Sequence, residues 1–329
     1  MRAAVLETPG TAPVLREVKP PLLERVELPY EPRGRESHSS EVGPVLIRVA
    51  AAPITPLDRF CATGTSYFGS PAVPYVPGVQ GVGTDPHGRP VWFATSAGMA
   101  PGDGSMREQA TVTAEDVVPL PAGADPVLVA ALGLSAVAAW CALTATGRLA
   151  AGETVVVLGA GGVVGQAGVQ LARLAGAGRV VAVARSTAAR EQALALGADA
   201  AVAIEPGDDP GTLGDRLAAA AGPADLVLDP LYGVPAAAAA RTLRPGGRLV
   251  HLGSAAGDTT PLDSATLRSR SLQVLGYTNN ALSTAERRDA LVRVVDEAVA
   301  GRLTVTHTRA PLSAVTEVWD APGRVVLEI

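Results

Sequence analysis

The 329-residue sequence carries 27 basic against 32 acidic side chains, with 47% apolar and 18% charged residues. That composition builds a core rather than a disordered chain, the length suits two domains of roughly 150 residues, and the net charge of −5 gives no basic surface for nucleic acid or anionic membranes. Cys61 and Cys141, the two cysteines, allow neither a disulfide framework nor a CxxC zinc knuckle, which points to a reducing compartment.

Taken in chain order, the start meets Glu7 and Pro9 before an apolar stretch of signal-peptide length can form, so a cytoplasmic location is expected. Over residues 1–124, short runs of β character (AAVL, VLIRVAAA, VWFATS, EQATV, VVPL) alternate with Pro- and Gly-rich turns, the pattern of a small β-rich domain. Within it Pro29–Gly43 is polar and reads as a solvated loop, long for its place. The 22 uncharged residues Pro126–Gly147 are long enough to cross a bilayer, but their Ala content with Gly133, Ser135, Thr144 and Thr146 predicts a buried helix instead.

Between Gly152 and Asn279, apolar runs begin near Thr154, Arg179, Ala200, Asp225, Arg248 and Leu272, at intervals of 21 to 25 residues. Ala- and Leu-rich helical segments such as Gly165–Ala175 and Ala188–Leu196 separate them. Strands apolar on both faces, alternating with helices at this spacing, predict a doubly wound, six-stranded parallel sheet over this span. Gly197 and Pro245-Gly246-Gly247 are expected to end helices. A final helix over Ser283–Ala300, with Ser283 and Glu286 as a capping box, precedes strands expected at Leu303–His307 and Arg324–Ile329.

The chemistry concentrates at Gly159-Ala160-Gly161-Gly162-Val163-Val164-Gly165, where an apolar strand turns into a helix. Free backbone N–H groups and the positive end of a helix dipole at one spot suit a pyrophosphate. Gly159 permits the turn, Gly161 and Gly162 let a cofactor approach, and Gly165 lets the helix pack closely. About 20 residues on, where an NAD site places a carboxylate, stand Arg185 and Ser186 with Arg190 one turn further, which favours the 2′-phosphate of NADPH. Gly253-Ser254 and Tyr277-Thr278 fall at the carboxyl ends of the fifth and sixth strands, where main-chain groups are placed to hold the nicotinamide carboxamide.

Ala52-Pro53-Ile54-Thr55-Pro56-Leu57-Asp58, Pro74–Gly83, the glycine turn and Pro245-Gly246-Gly247-Arg248 resemble the zinc-independent quinone oxidoreductase (zeta-crystallin-like) branch of the medium-chain dehydrogenases/reductases. The resemblance runs over nearly the whole chain. It implies α/β architecture: a GroES-like catalytic domain from residues 1–124 completed by 281–329, and a Rossmann domain at 125–280, with the active site in the cleft. It also implies a homodimer formed through the last Rossmann strand, Leu272–Tyr277. Zinc-dependent relatives carry a cysteine where Thr55 stands and a His-Glu pair where Val79-Gln80 stand, so no catalytic metal is expected. Two features depart from the family pattern: Ala138 replaces a threonine on the bridging helix, and the Pro29–Gly43 loop is long.

Without a Lewis acid, hydride delivery suits substrates that spread the developing charge themselves, as quinones and α,β-unsaturated carbonyls do. The resemblance assigns Thr55 to the face of the nicotinamide and substrate, and Tyr67, in Gly64-Thr65-Ser66-Tyr67, to hydrogen-bond or proton donation; Asp58 orients the turn. Ser66 lacks the final glycine of a hydrolase elbow. The expected activity is an NADPH-dependent quinone or enoyl reductase, with a non-redox NADPH-binding or cyclase-like role as the alternative on the same scaffold.

Overall fold

A computed structural model describes residues 1–21 and 43–329, so the polar stretch Pro29–Gly43 lies, apart from Gly43, outside the described residues. Packing divides these into two compact units, Met1–Ala131 with Thr306–Ile329, and Leu132–Val305. The resemblance puts the boundaries at 124/125 and 280/281.

In the first unit, β1 (Arg2–Val5) and β2 (Val14–Glu17) form an antiparallel pair. β3 (Pro44–Ile54) is the long strand, with Ile47, Val49 and Ala51 buried and Arg48 and Ala50 outward. Thr55 then caps the short helix α1 (Pro56–Ala62), whose first residue is a proline preset for a helix start. β4 (Gln80–Thr84), β5 (Pro90–Ala94), β6 (Gln109–Thr113) and β7 (Val117–Pro119) follow. Helix α2 (Pro126–Cys141) is broken at Gly133, at φ 30° and ψ −131°, and runs on into a π-helical turn over 142–146. The stretch Pro126–Thr146 is long and apolar enough to cross a membrane, at mean hydropathy 2.1, and 72% of it is buried inside the fold, as the buried-helix expectation requires.

The second unit alternates strand and helix: β8 (Thr154–Leu158), α3 (Val163–Leu174), β9 (Arg179–Ala184), α4 (Thr187–Ala195), β10 (Ala200–Ala203), α5 (Pro210–Ala221), β11 (Ala224–Asp229), α6 (Gly233–Ala240), β12 (Leu243–His251), α7 (Ser264–Ser269) and β13 (Gln273–Gly276). All neighbours pair in parallel, in the order β10-β9-β8-β11-β12-β13, so the strand order reverses between β8 and β11. One face packs Val156, Leu158, Val181 and Leu249 against Leu213 and Leu217 of α5 and the alanines of α6. At the amino-terminal edge Arg248 pairs both nitrogens with the Glu153 carboxylate at 2.8 and 2.7 Å and donates to the carbonyls of Gly147, Arg148 and Asp225. One guanidinium thus ties the starts of β8 and β11 to β12.

Helix α8 (Thr284–Val299) carries the expected capping box, Glu286 N–H to Ser283 Oγ and Ser283 N–H to Glu286. β14 (Thr308–Pro311) and β15 (Val325–Glu328) return to the first unit, and its seven-stranded sheet among the described residues runs β14-β15-β3-β4-β5-β7, with β6 also paired to β3. Two local expectations fail. Leu303–His307 is not a strand; the strand begins at Thr308, pairing with β15. Pro245-Gly246-Gly247 does not end a helix but lies within the span of β12, Gly246 at φ +77° with its N–H on Arg270 O. A β-rich GroES-like unit and a six-stranded Rossmann unit are both present.

Candidate functional site

The glycine turn sits at the carboxyl end of β8, beside the point of strand reversal. Gly159 is at φ +65°, and Gly162 N–H closes the turn on Gly159 O at 2.9 Å. A Cβ at Gly165 would lie 2.2 Å from Gly159 O and 2.6 Å from the Ala160 Cα, so the fold itself demands glycine there. Gly162 is different: at φ −86°, an added Cβ would meet only Gly159 O, at an ordinary 3.5 Å. The fold leaves Gly162 unexplained. It is exposed, as is Gly161, and it caps α3 without a side chain, leaving the first-turn N–H groups of Val163 and Val164 no side-chain acceptor. Such an uncovered backbone cradle fits the pyrophosphate of a dinucleotide.

The turn is anchored from behind. Ala160 N–H donates to Val183 O, and buried Gln166 donates to Gly161 O at 2.9 Å while accepting from Gln192 of α4 at 3.2 Å. At the end of β9, Ser186 Oγ caps α4 by accepting from Ala189 N–H. Arg190 is committed to the carbonyls of Arg185 and Ala184 and to Thr187 Oγ1. Arg185 is exposed, and its guanidinium makes no hydrogen bond or ion pair among the described residues. Of the two arginines singled out in the sequence, Arg185 is available to an anion and Arg190 shapes the loop that carries it.

Further along the same edge, Gly253 packs so close that a Cβ would stand 3.0 Å from Pro230 O, and Ser254 is exposed. Tyr277 N–H donates to His251 O, and its hydroxyl donates to Asn279 Oδ1 at 2.7 Å, burial holding the phenol above its ordinary pKa. Thr278 Oγ accepts from Asn280 N–H. Sequence reading missed a pair between them: Asp229 and His251, the last residues of β11 and β12, stand opposite each other in the parallel register, with His251 Nδ1 3.2 Å from Asp229 Oδ2. Each closes an apolar run, and that was the signal available.

In the other unit, Thr55 and Asp58 form a reciprocal capping box. Thr55 Oγ1 donates to Asp58 Oδ2 at 2.6 Å and accepts from Asp58 N–H, so the hydroxyl assigned to the substrate face is already engaged at both ends. Asp58 is 2% exposed and also accepts the N–H groups of Thr55, Gly78 and Val79, tying α1 to the segment entering β4. Burial pushes its carboxyl upward, countered by the Thr55 and Val79 hydrogen bonds and by the charge of Arg324. The same burial raises the Cys61 thiol to about 11 and brings Arg324 down to about 10. This cluster is a clamp. Tyr67 is the opposite case: it is 77% exposed, packed in tilted contacts between Phe60 and Phe68 at centroid distances of 5.7 and 4.3 Å, with its hydroxyl unpartnered among the described residues.

Thr55, Val79 and Gln80 do not suit zinc. They offer a hydroxyl bound to Asp58, an apolar side chain, and a carboxamide whose oxygen accepts from Trp92 Nε1 at 3.2 Å.

The family described as zinc-binding dehydrogenase matches residues 163–296. A quinone oxidoreductase of Thermus thermophilus, solved also in complex with NADPH, is 28% identical and superposes over 100% of both chains with a TM-score of 0.79. The quinone oxidoreductase of Rattus norvegicus is 34% identical over 165 residues, 47% of this chain and 48% of that one. A phenolphthiocerol/phthiocerol polyketide synthase polypeptide of Mycobacterium tuberculosis is 28% identical over 284 residues, 81% of this chain and 12% of that much longer one. The chain therefore spans less than half the length of either of these two curated relatives.

Proposed function

The chain belongs to the medium-chain dehydrogenases/reductases, a family of oxidoreductases, and on that premise we propose that it reduces a quinone or an α,β-unsaturated carbonyl with NADPH. The observation that carries the reading is the exposed Gly161–Gly162 backbone at the head of α3, with the uncommitted Arg185 at the neighbouring strand end. When bound, the nicotinamide supplies a hydride for an electrophilic carbon. The N–H groups of Val163 and Val164 hold the pyrophosphate, and Arg185, with the Ser186 hydroxyl beside it, holds the 2′-phosphate. Main-chain groups at Gly253-Ser254 and Tyr277-Thr278 orient the carboxamide.

On the substrate side, the exposed Tyr67 hydroxyl, on a ring packed between Phe60 and Phe68, donates a hydrogen bond to the oxygen that gains negative charge. Thr55 and Asp58 hold the α1 turn in place. No step is assigned to a metal, since the side chains at the zinc-ligand positions are the wrong donors. The quinone oxidoreductase relatives support the substrate class, and the polyketide synthase relative supports a place in secondary metabolism. The same reading carries a cytoplasmic homodimer joined along β13, an edge strand with Val274 exposed.

Steady-state NADPH oxidation against a panel of quinones and enones tests this function. Turnover with at least one class is expected. NADPH binding without turnover on any of them refutes the reductase and leaves the non-redox binding role.

A further inference from the structure

Asp229 is fully buried and uses both carboxylate oxygens. Oδ1 accepts the N–H groups of Leu231 and Tyr232, at 2.9 and 2.7 Å, and Oδ2 faces His251 Nδ1. A carboxylate serving as acceptor on all sides makes Nδ1 the donor, so the ring orientation of His251 is fixed by Asp229. The Tyr232 ring lies on the imidazole at a centroid distance of 4.2 Å. Tyr232 itself adopts φ +59° and ψ −151°, backbone space that favours glycine, so its conformation persists because the surroundings over-determine it.

What this arrangement grips is the strap Pro230–Tyr232. On one side, a Cβ at Gly159 of the glycine turn would stand 3.0 Å from Leu231 Cδ2 and 3.3 Å from Pro230 Cγ. On the other, Ala256 N–H donates to Leu231 O at 2.8 Å, and Gly253 packs on the Pro230 carbonyl. In the strand order, Arg185 at the end of β9 lies to one side of β8, while Asp229 and His251 lie one and two strands to the other, about 5 and 10 Å away at the usual strand spacing. A dinucleotide laid across this edge with its pyrophosphate at the glycine turn puts its adenylate half over β9 and its nicotinamide half over β11 and β12.

We propose that His251, held by Asp229, is a positioning residue that fixes the strap Pro230–Tyr232 between the glycine turn and Gly253–Ala256, and so sets how tightly the nicotinamide half of the cofactor is held. This rests on the NADPH reading above. Removing the imidazole leaves Asp229 Oδ2 buried without a donor and frees the strained Tyr232 to relax, moving backbone on both sides of the strap.

Calorimetric titration of NADPH, and separately of an adenosine bisphosphate carrying only the adenylate half, tests the inference on wild type, His251→Leu and His251→Asn. The asparagine amide reproduces the donor at the Nδ1 position. His251→Leu is expected to weaken NADPH about tenfold, as an unsatisfied buried acceptor implies, while the adenylate half binds within about twofold of wild type. His251→Asn is expected to recover most of the loss. Unchanged NADPH affinity in His251→Leu overturns the inference, as does equal weakening of both ligands or an asparagine variant no better than leucine. Failure of the wild-type protein to bind NADPH refutes the cofactor reading itself, and this inference with it.

Discussion

Two glycines of one turn, three residues apart, are expected to respond oppositely to the same added methyl. At Gly165 the new Cβ would lie 2.2 Å from Gly159 O and 2.6 Å from the Ala160 Cα, whereas ordinary contact begins near 3.4 Å. The head of α3 and the turn must therefore separate by about 1 Å, at an overpacking cost of about 1–3 kcal/mol that a better helix former only partly offsets. For a unit of this size, each kcal/mol lowers the melting temperature by about 2–4 °C. At Gly162 the methyl meets nothing closer than 3.5 Å, and the backbone is at φ −86°, so Gly162→Ala is expected to change stability by less than about 1 kcal/mol. The methyl nevertheless stands on the exposed face of the cradle, where it is expected to hold a phosphate off the backbone N–H groups and to cost about 10- to 100-fold in NADPH affinity, the worth of a charge-assisted hydrogen bond. Thermal melts of both variants without ligand, with calorimetric titration of NADPH, separate the two effects. A Gly162→Ala variant that binds NADPH as wild type does would show that no pyrophosphate lies there.

Arg185→Ala is expected to weaken NADPH by about 10- to 100-fold, the worth of a charge-assisted hydrogen bond, and to leave NADH unchanged; an unaltered NADPH-to-NADH affinity ratio would contradict the 2′-phosphate assignment. Tyr67→Phe should lower turnover by about 100-fold with an unchanged melting temperature, since the hydroxyl makes no bond within the protein. Turnover equal to wild type in that variant rules out a donor role. At the far edge of the sheet, burial opposes ionisation of Glu153, but the Arg248 hydrogen bond, the Ala150 N–H and the charges of Arg248 and Arg244 outweigh it and hold the carboxyl below its ordinary 4.5. Its folded-state pKa being depressed, this stabilisation is complete above the ordinary value and fades as the pH falls through the folded one. Glu153→Gln should cost about 1.5–3 kcal/mol near neutral pH, the worth of a hydrogen bond to a charged group, with the gap to wild type narrowing in denaturant melts as the pH falls below 4.5; a gap independent of pH would refute the ion-pair account.

The parallel sheet was legible because its strands are buried on both faces and so stand out as unbroken apolar runs, β8 and β9 beginning at the expected Thr154 and Arg179. β4 was not. Its Gly81 and Gly83 interrupt the apolar pattern, yet each is a glycine because another chain segment passes too close: a Cβ at Gly83 would stand 2.1 Å from Arg48 O, and one at Gly81 2.7 Å from the Phe93 ring. The glycine cradle was visible as a local pattern, whereas the commitment of Arg190 to loop carbonyls and the availability of Arg185 exist only in three dimensions. The engagement of Thr55 was recoverable, because Thr55-Pro56-Leu57-Asp58 has the spacing of a helix cap as much as that of a substrate contact. Asp229 and His251, by contrast, are brought together only by the register of β11 on β12, which no local pattern encodes.

The central claim is hydride transfer from NADPH to a conjugated acceptor, and it is tested most directly with NADPH deuterated at the transferring position of the nicotinamide. The enzyme and an enone substrate are incubated with the labelled cofactor, and the product is analysed by mass spectrometry and NMR. One deuterium is expected at the β-carbon of the saturated ketone, with the carbonyl retained. A product without label, or label at the carbonyl carbon of an alcohol, would contradict it.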